Sequence, residues 1–327
     1  MRKNKNRLIK QLILIGFLLV IFIVAVGMIY LGGTVFRSQL PFFQLIDSQK
    51  TDSVTISPEP TPNPGVVDFE TGSSVKLYMV LGSDFRPDAG YRTDIILLVA
   101  LDQNSGKISL VSFPRDLWVA IPGYGEQRIN TIMQLGGFQL LANTLQANFG
   151  VYPTQYAMID MEGFLRVIDV LGGITIETDS YTADACETSL DPDRWCEVGP
   201  GTVDLDSQWA LWYVRARYNS SDFDRMRRTQ EVVQAVIKKT ISPAGMLNVP
   251  QLVQIYDSEV ESNISTDQIL SMTQLGLDFD TSQDIRRFTI GPDQVTSWQT
   301  QDGAAVLIPN IQAIQELLQE ALNFESD

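Results

Sequence analysis

The feature that most constrains this chain is an uncharged apolar run near its N-terminus. From Leu12 to Leu31 there is no Asp, Glu, Lys or Arg, and twenty residues of helix match a hydrocarbon core of roughly 30 Å. A cleaved signal peptide is the alternative, but it favours a shorter apolar run and small residues at the cleavage site, whereas Thr34-Val35-Phe36-Arg37 follows here. The run therefore predicts one transmembrane helix over residues 12–31.

Charge is distributed very unevenly about that run. Residues 1–10 contain five basic residues and no acid, whereas the rest of the chain has 19 bases against 39 acids. The positive-inside rule predicts a cytoplasmic tip over residues 1–11 and an extracytoplasmic C-terminal domain, which is the topology of a single-pass cell-membrane protein. Because the body is strongly acidic, nucleic acid is not an expected partner.

The region after the run divides into a spacer and a domain. Residues 32–72 become rich in Pro, Ser and Thr, and Pro58, Pro60, Pro62 and Pro64 alternate, which is typical of an extended linker. Residues 73–327 are enough for one sizeable domain.

The domain alternates between strand-like and helix-like patterns. Short, nearly continuous apolar runs predict strands buried on both faces, at 75–81, 94–101, 107–113, 154–159, 174–178 and 286–291. Helical spacing predicts helices at 128–149 (interrupted by Gly136-Gly137), 161–171, 222–239, 248–257, 266–278 and 310–322. A strand-like alternation is also present over Tyr213–Arg217. Together they predict an α/β fold, an α–β–α sandwich with a central mixed sheet.

Two residue types restrict the chemistry. The chain has no histidine, which excludes Ser-His-Asp and Cys-His catalysis and leaves oxygen ligands for any metal, as Mg²⁺ or Ca²⁺ prefer. Its two cysteines, Cys186 and Cys196, lie in a polar loop predicted to be outside the cell, which favours a disulfide over two free thiols.

Arginine is concentrated in a few segments. Five arginines fall between residues 215 and 228, and Arg92 and Arg115 follow strand-like segments. With the acids of the same segments, Asp84, Asp94, Asp116, Asp222 and Asp224, they suit a pyrophosphate and a divalent ion. Surface salt bridges without function are the alternative explanation, and the residues alone leave both open.

Several motifs in order resemble the LytR–CpsA–Psr family of cell-envelope proteins. They are Leu81-Gly82-Ser83-Asp84 with Arg86, Tyr91-Arg92-Thr93-Asp94, Val111-Ser112-Phe113-Pro114-Arg115-Asp116, Ile121-Pro122-Gly123-Tyr124-Gly125, Arg128-Ile129-Asn130, Val167 to Ile174, Ala210 to Arg217, and Asp222, Arg225, Arg228 and Gln230. The match covers about residues 75–240, and the order and spacing together are specific.

The resemblance implies a Mg²⁺-dependent phosphotransferase. Its substrates would be a polyprenyl-pyrophosphate-linked glycopolymer and a hydroxyl of peptidoglycan, joined through a phosphodiester. Asp84 and Asp94 would hold the metal, and Asp84 is also the candidate base. Catalytic roles are implied for Asp84, Arg92, Arg115, Arg215, Arg217, Asp222 and Arg225, and pyrophosphate binding for Arg92, Arg115, Arg215, Arg217 and Arg228.

Some points stay open at this stage. Thr229 stands where the family has glutamine, with Gln230 one residue later, so a phosphate contact is lost or taken over by the Thr229 hydroxyl. Residues 179–200 look like an insertion. Phe113, Trp118, Phe138 and Leu141 line a lipid groove or belong to the core. A polyprenyl-pyrophosphate pyrophosphatase and a non-catalytic polyprenyl-phosphate-binding regulator are the alternative functions.

Overall fold

The computed structural model describes residues 66–69, 74–86, 90–218, 220–272 and 284–324, all within one compact unit, Ser57–Asp327. The predicted cytoplasmic tip and transmembrane helix lie outside the described residues, as does most of the linker. Within the described ranges, no helix is both long and apolar enough to cross a membrane.

The described residues form fourteen strands and eight α-helices. The strands are β1 Val75–Arg86, β2 Gly90–Asp102, β3 Ile108–Ser112, β4 Trp118–Ile121, β5 Gly125–Arg128, β6 Gln155–Ile159, β7 Ile174–Thr178, β8 Thr182–Ala185, β9 Trp195–Val198, β10 Gly201–Leu205, β11 Val260–Ser262, β12 Ile285–Thr289, β13 Val295–Gln299 and β14 Ala305–Pro309. The helices are α1 Ile132–Phe149, α2 Met161–Leu171, α3 Ser207–Arg215, α4 Asp222–Thr240, α5 Pro243–Met246, α6 Val249–Glu259, α7 Thr266–Met272 and α8 Ile311–Leu322, and a short 3₁₀ turn, Ile129–Thr131, precedes α1.

The central sheet has six strands in the order β11-β6-β1-β2-β3-β12. Strands β1, β2 and β3 are antiparallel neighbours, and β6 and β12 join in parallel to β1 and β3. The predicted mixed sheet is therefore confirmed.

Helices cover both faces of this sheet. On one face, Leu98 and Val111 belong to the same buried cluster as Leu140 of α1 and Leu318 of α8. On the other, Leu97 and Leu110 pack with Val233 and Ile237 of α4. Because successive residues of a strand point to opposite faces, the continuous apolar runs give both layers their contacts, as expected for a three-layer α/β domain.

A second apolar cluster lies beside the sheet. It joins α2, α3 and α4 to the two-stranded ribbon β7–β10 and to the hairpin β8–β9. The prediction that Cys186 and Cys196 form a disulfide is confirmed, and this disulfide closes the hairpin β8–β9.

One predicted element is wrong, and it carries two of the predicted arginines. The alternation over Tyr213–Arg217 predicted a strand, but Ser207–Arg215 is helix α3. The side chain of Asp206 accepts a hydrogen bond from the Trp209 N–H and so begins the helix. Arg215 is the last residue of α3, and Arg217 lies in the turn after it.

The glycine interruption predicted in α1 is present. Gly136 and Gly137 leave helical geometry, and Gly137 has a φ of 68°, a left-handed conformation that favours glycine. The predicted helix is therefore kinked between its first turn and its buried half.

Candidate functional site

The site begins at a bulge between β1 and β2. Gly82 pairs with Ile95 and Ser83 pairs with Thr93, so that Asp94 is an extra residue without a partner in the ladder. A Cβ on Gly82 would come within 2.9 Å of the Ile95 side chain, which explains the glycine in this motif. Bulges redirect a side chain and are common beside functional sites. Asp94 is therefore presented at the sheet end, next to the Asp84–Arg92 pair.

A group of charged residues from three elements meets there, and we call it the rim cluster: Asp94, Arg115, Asp116, Asp222 and Arg225. The Arg115 guanidinium lies 3.1 Å from Asp94 Oδ2 and 3.5 Å from one oxygen each of Asp116 and Asp222. Asp222 also lies 3.2 Å from Arg225 Nη1. Asp94, Arg115, Asp222 and Arg225, separated by up to 131 positions, are thus brought together as the resemblance implied.

The pKa values of the two arginines in the rim cluster are shifted in opposite directions. Burial acts to lower the pKa of Arg115, but the carboxylates of Asp94, Asp222 and Asp116 outweigh it and raise that pKa. Burial lowers the pKa of Arg225, Asp222 offsets only part of this, and the neighbouring charges of Arg115 and Arg217 lower it further. The surroundings of Arg225 therefore favour an additional anion.

Asp116 is a member of the cluster that was counted among the acids beside the arginines but was given no catalytic or metal-binding role. Its carboxylate bridges Arg115 and Arg128, whose Nε lies 3.2 Å from Asp116 Oδ1. Burial raises the pKa of Asp116, the two arginines oppose this, and the Asp222 carboxyl adds to the rise. The Arg-Asp dipeptide at the end of β3 was the available sequence signal.

The exposed arginines lie on a short segment that we call the arginine loop, residues 215–218. Two charged side chains hold its backbone from opposite sides. From α4, Arg228 donates to the carbonyl oxygens of Tyr213, at 2.8 Å, and Ala216. From the hairpin β8–β9, Asp184 Oδ2 accepts from the N–H groups of Arg217, at 2.5 Å, and Tyr218, at 3.2 Å. The loop is therefore fixed while Arg215 and Arg217 remain exposed.

Arg228 lies behind the surface. It was predicted to bind pyrophosphate, but only 1% of it is exposed, and its donors go to the backbone of the loop. In this structure its role is to position the arginine loop. Asp184 has the same role, and sequence reasoning missed it because a carboxylate that binds backbone N–H groups 33 residues away has no local signature.

A second polar group on α4 faces inward, and we call it the closed network: Thr178, Tyr213, Arg227 and Glu231. Glu231 accepts from Tyr213 Oη at 2.7 Å and from Arg227 Nη1 at 2.5 Å. Arg227 and Tyr213 also reach Thr178 Oγ1. The network ties α4 to α3 and β7, so Arg227 is structural.

Of the other residues considered for phosphate binding, Arg92 is exposed, whereas Thr229 and Gln230 are buried. Arg92 is exposed at the sheet end. The Thr229 hydroxyl, predicted as a replacement phosphate contact, is buried and donates to Arg225 O. Gln230 is buried too, and its amide donates to Ser112 Oγ and Phe288 O, which joins α4 to the sheet.

The predicted lipid groove is divided among different environments. Phe113 and Leu141 are buried in the main core. Phe138 stacks on Tyr156 at a centroid distance of 4.4 Å, and Trp118 lines a surface cavity.

Asp84 and Asp94 could supply some of the ligands of a metal ion but not a complete coordination shell. Asp84 and Asp94 lie on adjoining strand ends, and carboxylate oxygens are the ligands that Mg²⁺ prefers. Among the described residues, no three Asp, Glu, Cys or His side chains gather as a ligand set. Two carboxylates fit an ion that takes its other ligands from phosphate and water.

The fold and the rim cluster define a three-layer α/β domain with an arginine- and carboxylate-lined site at one end of its sheet. The chain belongs to the LytR–CpsA–Psr family, whose LytR_cpsA_psr model matches residues 45–323.

Relatives and solved structures agree with this assignment. The chain is 32% identical over 254 residues to the regulatory protein MsrR of Staphylococcus aureus, covering 74% of each protein. It is 25% identical over 272 residues to the polyisoprenyl-teichoic acid–peptidoglycan teichoic acid transferase TagU of Enterococcus faecalis, covering 82% of each. The crystal structure of Bacillus subtilis TagV superposes with a TM-score of 0.64 at 22% identity, covering 77% of this chain and 98% of TagV. A structure of TagT bound to LIIa-WTA gives 0.62 at 22% identity, covering 80% and 97%.

Proposed function

We propose that this protein is a membrane-anchored, Mg²⁺-dependent phosphotransferase that moves a glycopolymer from a polyprenyl-pyrophosphate carrier to a hydroxyl of peptidoglycan. The reaction class is supported by family membership and by the named activity of the relative TagU. The membrane anchor over residues 12–31, with the domain on the outer side, is part of the same proposal.

The observation that carries the proposal is the arrangement of arginines around Asp222. Arg115 and Arg225 both lie against this carboxylate, and Arg217 is close enough to lower the pKa of Arg225. Two guanidinium groups thus share one carboxylate, and the charge of a third acts on them, in a domain that is otherwise acidic. A pyrophosphate would add negative charge beyond that of Asp222, and guanidinium groups bind phosphate oxygens in pairs.

The transfer step makes and breaks one P–O bond each. The acceptor hydroxyl oxygen attacks the phosphorus that carries the glycopolymer, and the bond from this phosphorus to the bridging oxygen breaks. Polyprenyl monophosphate leaves, and the hydroxyl proton passes to a carboxylate, for which Asp84 is the candidate. The arginines would neutralise the phosphate oxygens as the bond breaks, which is an electrostatic form of catalysis.

Asp84 and Asp94 would hold the Mg²⁺. When bound, the ion supplies positive charge that stabilises the leaving phosphate. Asp94 also contacts Arg115, so this carboxylate would join the metal side of the site to the arginine side.

The test is a cleavage assay with the full-length protein in detergent. A polyprenyl-pyrophosphate-linked oligosaccharide is incubated in Mg²⁺ or in EDTA, with and without peptidoglycan fragments, and polyprenyl monophosphate is measured. Asp84→Ala and Arg215→Ala are compared with Arg166→Ala, an exposed arginine whose ion pairs are with Glu162 and Glu259 and not with the rim cluster.

We expect release that needs Mg²⁺, depends on the acceptor and is lost in the first two variants only. Release that does not depend on the acceptor would indicate a pyrophosphatase instead. Lipid binding without release under any condition would refute the enzyme and leave a binding protein.

A further inference from the structure

A cleft of about 400 Å³ lies on the part of the domain that the proposed chemistry does not use. It runs between the hairpins β4–β5 and β13–β14 and is closed by the start of α8. Its lining includes Trp118, Glu126, Asn148, Trp298, Pro309 and Ile311. The volume is at the lower end of the roughly 300–1,000 Å³ of small-ligand sites.

The two hairpins are joined firmly. Leu117 and Leu307 form a bridge, and the Leu307 N–H donates to Asp116 O at 3.0 Å. Arg128 Nη2 donates to Ala305 O at 2.6 Å. The cleft is therefore a fixed feature of the surface.

The same contacts connect the cleft to the rim cluster. Trp118 pairs with Arg128 across β4 and β5, so the two side chains are cross-strand neighbours. Arg128 contacts Asp116, which contacts Arg115. The cleft is thus linked to Arg115 through Arg128 and Asp116, and the Arg115 Nε that Asp116 approaches also lies 3.5 Å from Asp222.

The lining combines two indole rings with one carboxylate. Trp298 is 50% exposed, an unusual position for the largest apolar side chain. Asn148 is committed to the wall, since its amide donates to Ala120 O and Thr144 O and accepts from the Ala120 N–H. The Glu126 carboxylate accepts a long hydrogen bond, 3.4 Å, from Trp118 Nε1.

This chemistry favours a neutral sugar chain. The C–H faces of pyranose rings pack on indole rings, and a carboxylate accepts hydrogen bonds from hydroxyl or N-acetyl groups. A prenyl chain would desolvate Glu126 without a hydrogen bond in return, which costs free energy. An anionic glycopolymer would be repelled by the same carboxylate.

We propose that this cleft binds the N-acetylated glycan strand of peptidoglycan and presents the acceptor to the rim cluster. The inference rests on the proposed transfer to peptidoglycan and names the subsite for its acceptor. Trp298 and Trp118 stack on the sugar rings, and Glu126 accepts a hydrogen bond from the strand.

The test measures binding without any donor, so its outcome is independent of the transfer reaction. The full-length protein in detergent is titrated with chitotetraose and with uncrosslinked, peptide-free glycan strands, and tryptophan fluorescence is recorded. The variants are Trp298→Ala and Glu126→Gln. The matched control is Trp195→Ala, which removes an exposed tryptophan, 37% accessible, that packs edge-on against Tyr218 of the arginine loop and lies outside the cleft. Thermal melting verifies that each variant is folded.

We expect saturable binding whose Kd rises about tenfold in Trp298→Ala, since stacked rings contribute up to about that factor. Glu126→Gln should weaken binding less, and Trp195→Ala should leave the Kd unchanged. No saturable binding of either probe would overturn the proposal. So would loss of binding in Trp195→Ala with Trp298→Ala unaffected, or displacement of the glycan by a polyprenyl phosphate. If glycan binds as expected and the cleavage assay fails, the transferase proposal alone is refuted.

Discussion

The rim cluster and the closed network are both built on α4, yet they use arginine in opposite ways. In the closed network, Arg227 and Tyr213 share one carboxylate, Glu231, whose side chain is 4% exposed. In the rim cluster, Arg115 is distributed over three carboxylates at 3.1 to 3.5 Å, and its buried Nε lies 3.5 Å from both Asp116 and Asp222. Arg225 is undercompensated beside it.

The difference separates an arginine whose charge is balanced inside the fold from the arginines to which the proposed function assigns a ligand. The proposed pyrophosphate would add phosphate oxygens as further acceptors beside Arg115 and Arg225. Sequence alone could not make this distinction, because Arg225, Arg227 and Arg228 are nearly adjacent.

The largest effect on the transfer rate is expected at Arg217, one of the two exposed arginines of the arginine loop. Arg217→Ala should lower the rate of transfer by about 10²- to 10³-fold, as loss of a preorganised positive charge does, with little change in Tm. Arg227→Ala should give the reverse, a lower Tm with most of the activity kept below the melting range. If Arg227→Ala were inactive while folded, the division between the two groups would be wrong.

A smaller effect is expected inside the closed network. Glu231→Gln leaves Arg227 without a charged partner and should cost about 2–3 kcal/mol in the free energy of unfolding. The value is below the full cost of breaking a buried pair because 30% of the Arg227 side chain is exposed. Urea denaturation measures it, and Glu177→Gln, which breaks the exposed pair with Lys238, is the control.

The disulfide should contribute about as much to the free energy of unfolding as the Glu231 carboxylate, or slightly less. Cys186 and Cys196 are ten positions apart, and closing so short a loop contributes about 2–3 kcal/mol in the chain-entropy view. The double Cys→Ser variant should melt lower and also transfer more slowly, because the hairpin carries Asp184. Equal activity in the oxidised and reduced protein would separate the hairpin from the arginine loop.

The next effect concerns Asp184 itself. Asp184→Asn weakens two hydrogen bonds to the backbone of the arginine loop and should cost about 1 kcal/mol of stability. We expect KM for the lipid donor to rise more than kcat falls, since the loop becomes less ordered before substrate binds. Asp191→Asn, in the same hairpin and away from the loop, is the comparison; unchanged KM in Asp184→Asn would contradict the positioning role.

The smallest effect is at the start of α4, which carries both groups. Burial acts to raise the pKa of Asp224, but hydrogen bonds with Ser221 outweigh it, and the pKa is lowered on balance. A lowered folded-state pKa means that this stabilisation is present above the unfolded value of about 3.9 and is lost as pH falls through the folded one. Asp224→Asn should therefore reduce the acid dependence of stability by less than about 1 kcal/mol.

The sheet and most helices were predictable because apolar periodicity is a local signal. Val75–Arg86, Met161–Leu171 and Ile174–Thr178 appear where the sequence placed strands and a helix. Helix α3 was not predicted, because the spacing of Arg215 and Arg217 resembles the alternation of a strand. The N-cap at Asp206 instead starts a helix. The hairpins β4–β5, β8–β9 and β13–β14 were also missed, because strands such as Gly125–Arg128 and Thr182–Ala185 have no continuous apolar run.

For the site, the residue types and their order were predictable, but their environments were not. The motifs named Asp94, Arg115, Asp222 and Arg225 correctly as neighbours. The burial of Arg228 and Thr229, and the contact of Asp184 with the loop, depend on tertiary packing that no spacing encodes.

The bulge at Asp94 has a consequence for reading other members of the family. Without this residue, Thr93 and Ile95 would continue opposite Ser83 and Gly82 as a regular ladder, so the sheet does not need it. A relative with a one-residue gap at this position would keep its hairpin and lose the acid. We expect such gaps to mark homologues that have retained the architecture after giving up the chemistry.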